Sequence, residues 1–316
     1  MKRKDDFSMP LIHSGGSVPS MTGDVFIALA PAFIWGVFAF GARALAVVAV
    51  GVAAAVISEL LFCLVFRKKQ TVGDLSAAVT GFLFSVSLPA TVPLWLPALG
   101  AFVAVIGCKA AFGGLGRNYV NPAVFVHCVF FFVFPKLMTD FPMAYSAKYV
   151  LPESLSFAKL TGVLGGKSGL FRFLTGLFPS AIADGAIVLL GIGGLYLIFR
   201  RVISVQIPAA YLVSFAAFEL IFGASLSETA FSVCVGGVVF TAFFELTDPV
   251  TSPVTLSGKT AYGIFCGILC VVLRRFVGFY EAPYFAAAIS GLLAKVFDMI
   301  FMPVPCGRGF FSRRKA

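Results

Sequence analysis

Charge is what this sequence has least of. Asp, Glu, Lys and Arg make up 12% of its 316 residues, against about a quarter in soluble domains. So few charges cannot cover a water-facing surface. Histidine is nearly absent, with His13 and His127 the only two. His127 stands in an apolar run and reads either as a metal ligand or proton shuttle, or as a side chain hydrogen-bonded between helices. The seven cysteines are scattered. Cys266 and Cys270 share a helix face, but no second close pair completes a four-thiolate set, so buried inert thiols are the expectation. No nicotinamide or iron–sulfur fingerprint occurs, and no aromatic–basic interleaving suggests a nucleic-acid surface.

What is abundant is apolar. Hydrophobic residues make up 59% of the chain, phenylalanine alone accounts for 37 positions, and the mean hydropathy is +0.99. The expected class is an all-α polytopic membrane protein. A crossing needs about 20 apolar residues. Apolar segments fall at 24–41, 43–66, 74–90, 93–112, 120–137, 180–199, 205–223, 228–246, 260–280 and 283–303, which predicts about ten spans. The first run is followed closely by a second, so it reads as a retained span and not a cleaved signal.

The formal charge of +10 is concentrated at span ends: Lys2, Arg3 and Lys4; Arg67, Lys68 and Lys69; Arg200 and Arg201; Arg308, Arg313, Arg314 and Lys315. This is the positive-inside pattern and puts both termini in the cytoplasm. Arg274 and Arg275 fall near the opposite face. They belong either to a tilted or broken segment or to a binding site. The resulting organisation is a cytoplasmic N-terminal segment (1–23), a first membrane half of about five spans (24–137), an extracytoplasmic loop (138–179), a second half of about five spans (180–303) and a basic cytoplasmic tail (304–316).

Two polar, proline-spaced stretches interrupt the apolar runs: Ser87-Leu88-Pro89-Ala90-Thr91-Val92-Pro93 and Leu246-Thr247-Asp248-Pro249-Val250-Thr251-Ser252-Pro253. Proline removes a donor and stops a helix, and in lipid each freed group needs a partner. Matched breaks in two halves point to two pseudo-repeated halves with broken helices and a site between them; the plain alternative is two similar loops. A third break, Gly113-Gly114-Leu115-Gly116-Arg117-Asn118-Tyr119-Val120-Asn121-Pro122-Ala123, joins glycines to a helix start capped by Asn121 with Pro122 at the first position. It reads either as a ligand-approach turn or as a tight capped turn.

Ionisable residues at membrane depth are functional candidates. Glu245 and Asp248 flank the second break and rank first for an ion path, with Asp74 next. Glu59 and Glu219 are expected to pair with basic neighbours at span ends, and Asp24 and Asp298 to be structural.

Several of these runs together resemble one known family. They are Asp74-Leu75-Ser76-Ala77-Ala78-Val79-Thr80-Gly81, Ser87-Leu88-Pro89, Lys109-Ala110-Ala111-Phe112-Gly113-Gly114-Leu115-Gly116 with Asn118 and Asn121-Pro122-Ala123, and Thr247-Asp248-Pro249-Val250-Thr251-Ser252-Pro253-Val254-Thr255 with Gly258-Lys259 and Tyr262-Gly263. The chain resembles the RnfD/NqrB family of membrane subunits from about Met21 to its C-terminus. Without a long N-terminal extension, it is closer to RnfD. The resemblance implies a membrane component of an Rnf-type complex. Such complexes pass electrons between ferredoxin and NAD and couple this to Na⁺ or H⁺ translocation, through ferredoxin-like, NADH-binding and flavin partner subunits in a bacterial inner membrane. It also implies FMN joined through its phosphate to a threonine of a Ser-Gly-Ala-Thr motif. Here that place reads Glu153-Ser154-Leu155-Ser156-Phe157, with Ser156 the nearest hydroxyl and no threonine. FMN without the ester, riboflavin or no flavin remain open.

A flavin needs donors at its edge and an apolar setting. Asn118 and Asn121, and Thr251 and Thr255 in the late run, are the candidate contacts beside Ser156. No catalytic or metal-ligating residue is assigned. The competing readings are a secondary transporter or channel for a small solute, and a cofactor-free membrane scaffold for redox partners.

Overall fold

The computed structural model describes residues 18–67, 72–110, 118, 120–142, 149–150, 176, 178–278 and 280–302. Ser156 and the rest of 151–175, as well as Gly113–Arg117 of the glycine-rich turn, lie outside the described residues.

The first half contains α1 (Val18–Phe40), α2 (Ala42–Val65), α3 (Ser76–Val86), α4 (Trp95–Phe102), which continues as a π-helix over Val103–Ala110, and α5 (Pro122–Val133). A short helix, α6 (Pro135–Met138), leads to a two-stranded pairing of β1 (Phe141–Pro142) with β2 (Tyr149–Val150). The second half contains α7 (Ile187–Phe199), α8 (Gln206–Ile221), α9 (Leu226–Cys234), and α10 (Val238–Phe240) with its π-helical continuation Thr241–Glu245. It ends with α11 (Leu256–Val272), continued over Leu273–Val277, and α12 (Ala282–Phe301).

The chain is thus an all-α polytopic membrane protein. Among the described residues four helices are long and apolar enough to cross a membrane: α1, α2, α11 with its continuation, and α12. A fifth crossing forms if α9 and the α10 segment, bent by 68° at their junction, count as one. The remaining five apolar helices are shorter, at 10–17 residues. The ten expected segments therefore do not all appear as continuous full-length spans. The expected span 74–90 is helical only to Val86, the span 180–199 becomes helical only at Ile187, and the span 228–246 is bent at residues 235–237.

Local chemistry accounts for these boundaries. Pro89 cannot donate, so α3 ends before it. Asn121 accepts from the Ala123 amide at 3.0 Å and Pro122 occupies the first turn, which starts α5. A reciprocal capping box between Ser225 and Glu228 starts α9. The bend after α9 falls on Gly236 and Gly237, whose φ values of 70° and 74° lie in the left-handed region open to glycine.

Within the first half α2 packs on α3 and α4; within the second, α8 packs on α11 and α11 on α12. The halves meet along α1 and α7. Gly193 lets the helices approach so closely that a Cβ there would collide with Ala28 O, the small-residue contact typical of membrane helices. At one end of this seam Asp24 accepts from Tyr196 at 2.9 Å and pairs with Arg200 at 3.3 Å.

Candidate functional site

The segment Ser180–Ala186 is the key non-helical element. It is buried throughout and lies against the end of α3. Its amides donate to the carbonyls that the Pro89 break frees: Ile182 N to Leu88 O at 3.1 Å and Ala183 N to Val86 O at 3.0 Å. Arg43 adds a donor to Val92 O at 2.8 Å, and Thr91 Oγ1 donates to Asp140 O at 2.6 Å. At the bend after α9, Arg274 donates to Ser232 O (2.7 Å) and Val235 O (3.0 Å) and lies 5.3 Å from the centre of the Phe215 ring. Every one of these broken-helix carbonyls thus finds a protein donor, as burial away from water requires. Arg274 and Arg275 lie in the π-helical continuation of α11, which runs on from the helix without a break; Arg275 pairs with Glu219 at 2.6 Å, the basic partner expected for that acid.

A buried polar cluster fills the space between these elements. His127 on α5 bridges Ser87 (Nδ1 to Oγ, 2.9 Å) and Glu281 (Nε2 to Oε2, 2.8 Å). Its ring stacks on Tyr284 at 4.0 Å. Tyr284 donates to Asp184 Oδ2 at 2.9 Å, and Gly237 sits against that pair. The cluster therefore joins the first-half break, the Ser180–Ala186 segment, the bend after α9 and α12. His127 is the histidine hydrogen-bonded between helices that the sequence allowed. Asp184, Glu281 and Tyr284 were not anticipated. The available signals were a lone aspartate in a short apolar stretch and a glutamate one residue before a helix with proline in its first turn.

Glu245 is buried beside this cluster. It is 2% exposed, and neither carboxyl oxygen has a hydrogen-bond partner. Thr241 Oγ1 faces it without reaching hydrogen-bond geometry. Asp184 is close enough to interact with it electrostatically, as is Glu281. Its backbone carbonyl accepts from Asn121 Nδ2 at 3.4 Å, which ties the two halves together.

On the other side of Asn121 is a cavity of about 220 Å³. Its polar lining is Asn118, Asn121, Thr22, Ser76, Thr80, Thr247 and Asp248 in an otherwise apolar wall. Asn118 is buried, and its Oδ1 has no partner.

The other expected site residues fall as follows. Asp248 lines the cavity and accepts from Thr251 at 2.9 Å. Thr251 is not in the cavity wall; its hydroxyl serves Asp248. Thr255 caps α11 by accepting from Gly258 N at 3.2 Å. The Val254 and Thr255 amides donate to Asp298, giving that acid its structural role. Asp74 accepts from the Ser76 amide and hydroxyl at the start of α3, and its carbonyl accepts from Thr22. Among the described residues no group of three His, Cys, Asp or Glu side chains could hold a metal ion.

The two proline stretches do not converge. Ser76 and Pro249 both line the cavity, whereas Pro89 follows the far end of α3, on the order of 16 Å along that helix. The break that meets the Pro89 stretch across the buried cluster is the Gly236–Gly237 bend. The second proline run instead closes the cavity and leads into α11.

Known proteins resemble this chain along nearly its whole length. Residues 7–307 match the family described as NQR2, RnfD, RnfE. The chain belongs to that family. It is 36% identical over 294 residues to the D-type subunit of the Na⁺-translocating ferredoxin:NAD⁺ oxidoreductase complex of Acetobacterium woodii, covering 92% of this chain and 91% of that protein. It is 31% identical over 315 residues to the D-type subunit of the proton-translocating ferredoxin:NAD⁺ oxidoreductase complex of Clostridium ljungdahlii, covering 95% of each. A third relative is the D-type subunit of the ion-translocating oxidoreductase complex of Halorhodospira halophila, 30% identical over 331 residues with 92% of each covered.

Proposed function

We propose that this chain is the D-type membrane subunit of an Rnf-type complex that couples electron transfer between ferredoxin and NAD to cation translocation. The match to subunits of that name along nearly the whole chain carries the reading. Electron entry and exit belong to partner subunits, because this chain has no nicotinamide or iron–sulfur fingerprint. The basic span ends support a reading with both termini on the cytoplasmic side, and the match to Rnf-type subunits supports a bacterial inner membrane. The cavity then opens from the cytoplasmic half, and the His127–Glu281 cluster lies towards the other face.

The cavity suits a flavin ring held without a covalent bond. Its wall is mostly apolar, and the unpartnered Asn118 Oδ1 offers a buried acceptor for a ring N–H. Asn118 would hold that edge, and Asn121 would fix the wall, because its amide is already anchored to Glu245 O. A flavin supplies one- and two-electron chemistry; the protein supplies orientation and water exclusion. Thr251 and Thr255 have local structural partners and are not assigned to it.

The test is flavin retention by the purified complex. We expect flavin absorbance released from this subunit on denaturation, without in-gel fluorescence. Asn118→Ala should weaken retention about tenfold, the loss of a buried hydrogen bond of roughly 1.5 kcal/mol. A subunit with no flavin in either state would replace this reading with a cofactor-free scaffold.

A further inference from the structure

We propose that His127 and Glu281 hold one shared proton between them, and that this proton latches the Pro89 break to the start of α12. The pair lies outside the cavity wall and does not depend on a flavin there.

A count of hydrogens along the chain of contacts places the proton. In a continuous helix Leu88 N would serve Phe84 O; at the Pro89 break it donates to Ser85 O instead. Phe84 O accepts from the Ser87 hydroxyl in its place, at 2.8 Å. A hydroxyl has one hydrogen to give. Ser87 has spent it, so its 2.9 Å contact with His127 Nδ1 is closed by an N–H of the ring. A neutral imidazole carries a single N–H, and that one is now fixed at Nδ1. The other ring nitrogen, Nε2, stands 2.8 Å from Glu281 Oε2. A bare ring nitrogen and a bare carboxylate oxygen are both acceptors and repel at that distance. A further proton therefore lies between them, and the pair as a whole is neutral.

The surroundings hold this arrangement. His127 and Glu281 are 0% and 2% exposed, so loss of the proton would leave a buried carboxylate facing a lone pair, without water to relieve it. Tyr284 stacks on the imidazole with centres 4.0 Å apart and planes 17° apart, which fixes the ring. The other titratable groups nearby are Cys128 on α5, Tyr280 just before Glu281, Asp184 bonded to Tyr284, and Glu245. Arg274 on the α11 continuation is engaged with Ser232 O and Val235 O. Cys108 lies on the continuation of α4, and Lys136 on α6 is exposed. Among the described residues none of these groups hydrogen-bonds to His127 or Glu281. α3 and α4 themselves bring no titratable side chain.

Release is a plain proton transfer. The bond from the shared proton to nitrogen or oxygen breaks, hydroxide takes the proton to form water, and no electron moves. What remains is an imidazole with Nδ1–H, still held by Ser87, opposite a carboxylate. The contact that joined α5 to the first residue of α12 then becomes repulsive.

The chain has only two histidines, which makes the proton readable. His13→Gln leaves His127 alone. The full chain carrying ¹⁵N-histidine is reconstituted in lipid vesicles and measured by solid-state NMR. We expect an N–H signal at Nδ1 and an Nε2 signal displaced from the range of a bare ring nitrogen. In Glu281→Gln the side-chain amide can donate to Nε2 without a shared proton. There Nε2 should move back to the bare range while Nδ1 keeps its hydrogen. A bare Nδ1 in the parent chain, or an Nε2 signal that Glu281→Gln leaves in place, would overturn the shared proton. Amide hydrogen exchange tests the latch. Glu281→Ala should speed exchange at Tyr284, Phe285 and Ala286 by at least about tenfold, the effect of losing one buried charge-assisted hydrogen bond. Unchanged exchange at those amides would refute the latch. The NMR measurement on the parent chain decides the proton's place even where the alanine variant does not fold.

Discussion

At the Pro89 break, the carbonyls of Val86 and Leu88 accept from backbone amides of a neighbouring segment. At the Gly236–Gly237 bend, the carbonyls of Ser232 and Val235 accept from a single guanidinium. The two halves thus solve the same problem, polar backbone exposed away from water, with different materials. Amide donors are fixed by the chain path, add no charge and survive any side-chain substitution. A guanidinium concentrates several donors in one residue and brings a positive charge near Tyr280. The first break should therefore tolerate mutation, and the second should depend on one side chain.

The largest effect follows directly. Arg274→Ala leaves the Ser232 and Val235 carbonyls without donors and removes the cation over Phe215. Hydrogen bonds to a charged group contribute about 1.5–3 kcal/mol each, less where water can enter, so a total near 3 kcal/mol is expected. Unfolding of the purified subunit in an SDS titration measures it. Arg274→Lys should recover less than half, because a point charge cannot reproduce the planar fork. A cost below about 1 kcal/mol would show that the bend does not rely on Arg274.

This asymmetry also marks how far the site could be read from sequence. The helical segments, the Pro89 interruption, the Asn121 cap and the pairing of Glu219 all follow from local rules of hydropathy, proline chemistry and capping. Glu245 stood out because an acid inside an apolar run is costly. The pairing of breaks did not follow. The Thr247–Pro253 stretch resembles the Pro89 stretch in spacing, but it lies at the cavity end of its helix. The bend that meets the cluster is instead two adjacent glycines, which hydropathy averages away. Asp184 and Glu281 escaped for a related reason. Each is a single acid in a short connection, and only the tertiary arrangement brings them to His127 and Tyr284. The roles of Thr251 and Thr255 were equally illegible, because a free threonine and a capping threonine look the same in a sequence.

A smaller effect probes the bend itself. Gly237 holds φ at 74°, and a Cβ there would stand 2.9 Å from both Asp184 Oδ2 and Tyr284 Oη. Gly237→Ala should cost about 2 kcal/mol, from left-handed strain of about 1–2 kcal/mol plus crowding. The crowding also pushes on the Asp184–Tyr284 hydrogen bond. The SDS titration gives the magnitude, and a cost below about 1 kcal/mol would show that the bend does not need glycine.

The smallest effect is expected where intuition would place the largest. Pro89 interrupts α3, yet the carbonyls around it are held from outside by Ile182 N and Ala183 N. Pro89→Ala supplies a new N–H but does not remove those donors, and straightening the helix would break both bonds. The chain should stay broken at this point. The expected loss is about 1 kcal/mol, from a more flexible unfolded chain and the volume removed from a buried site. The SDS titration gives the magnitude. Amide hydrogen exchange at Ile182 and Ala183 tests the cause, since both amides should remain protected. Rapid exchange at those two positions would mean that the proline, and not the neighbouring segment, shapes the first break, and the contrast between the two halves would disappear.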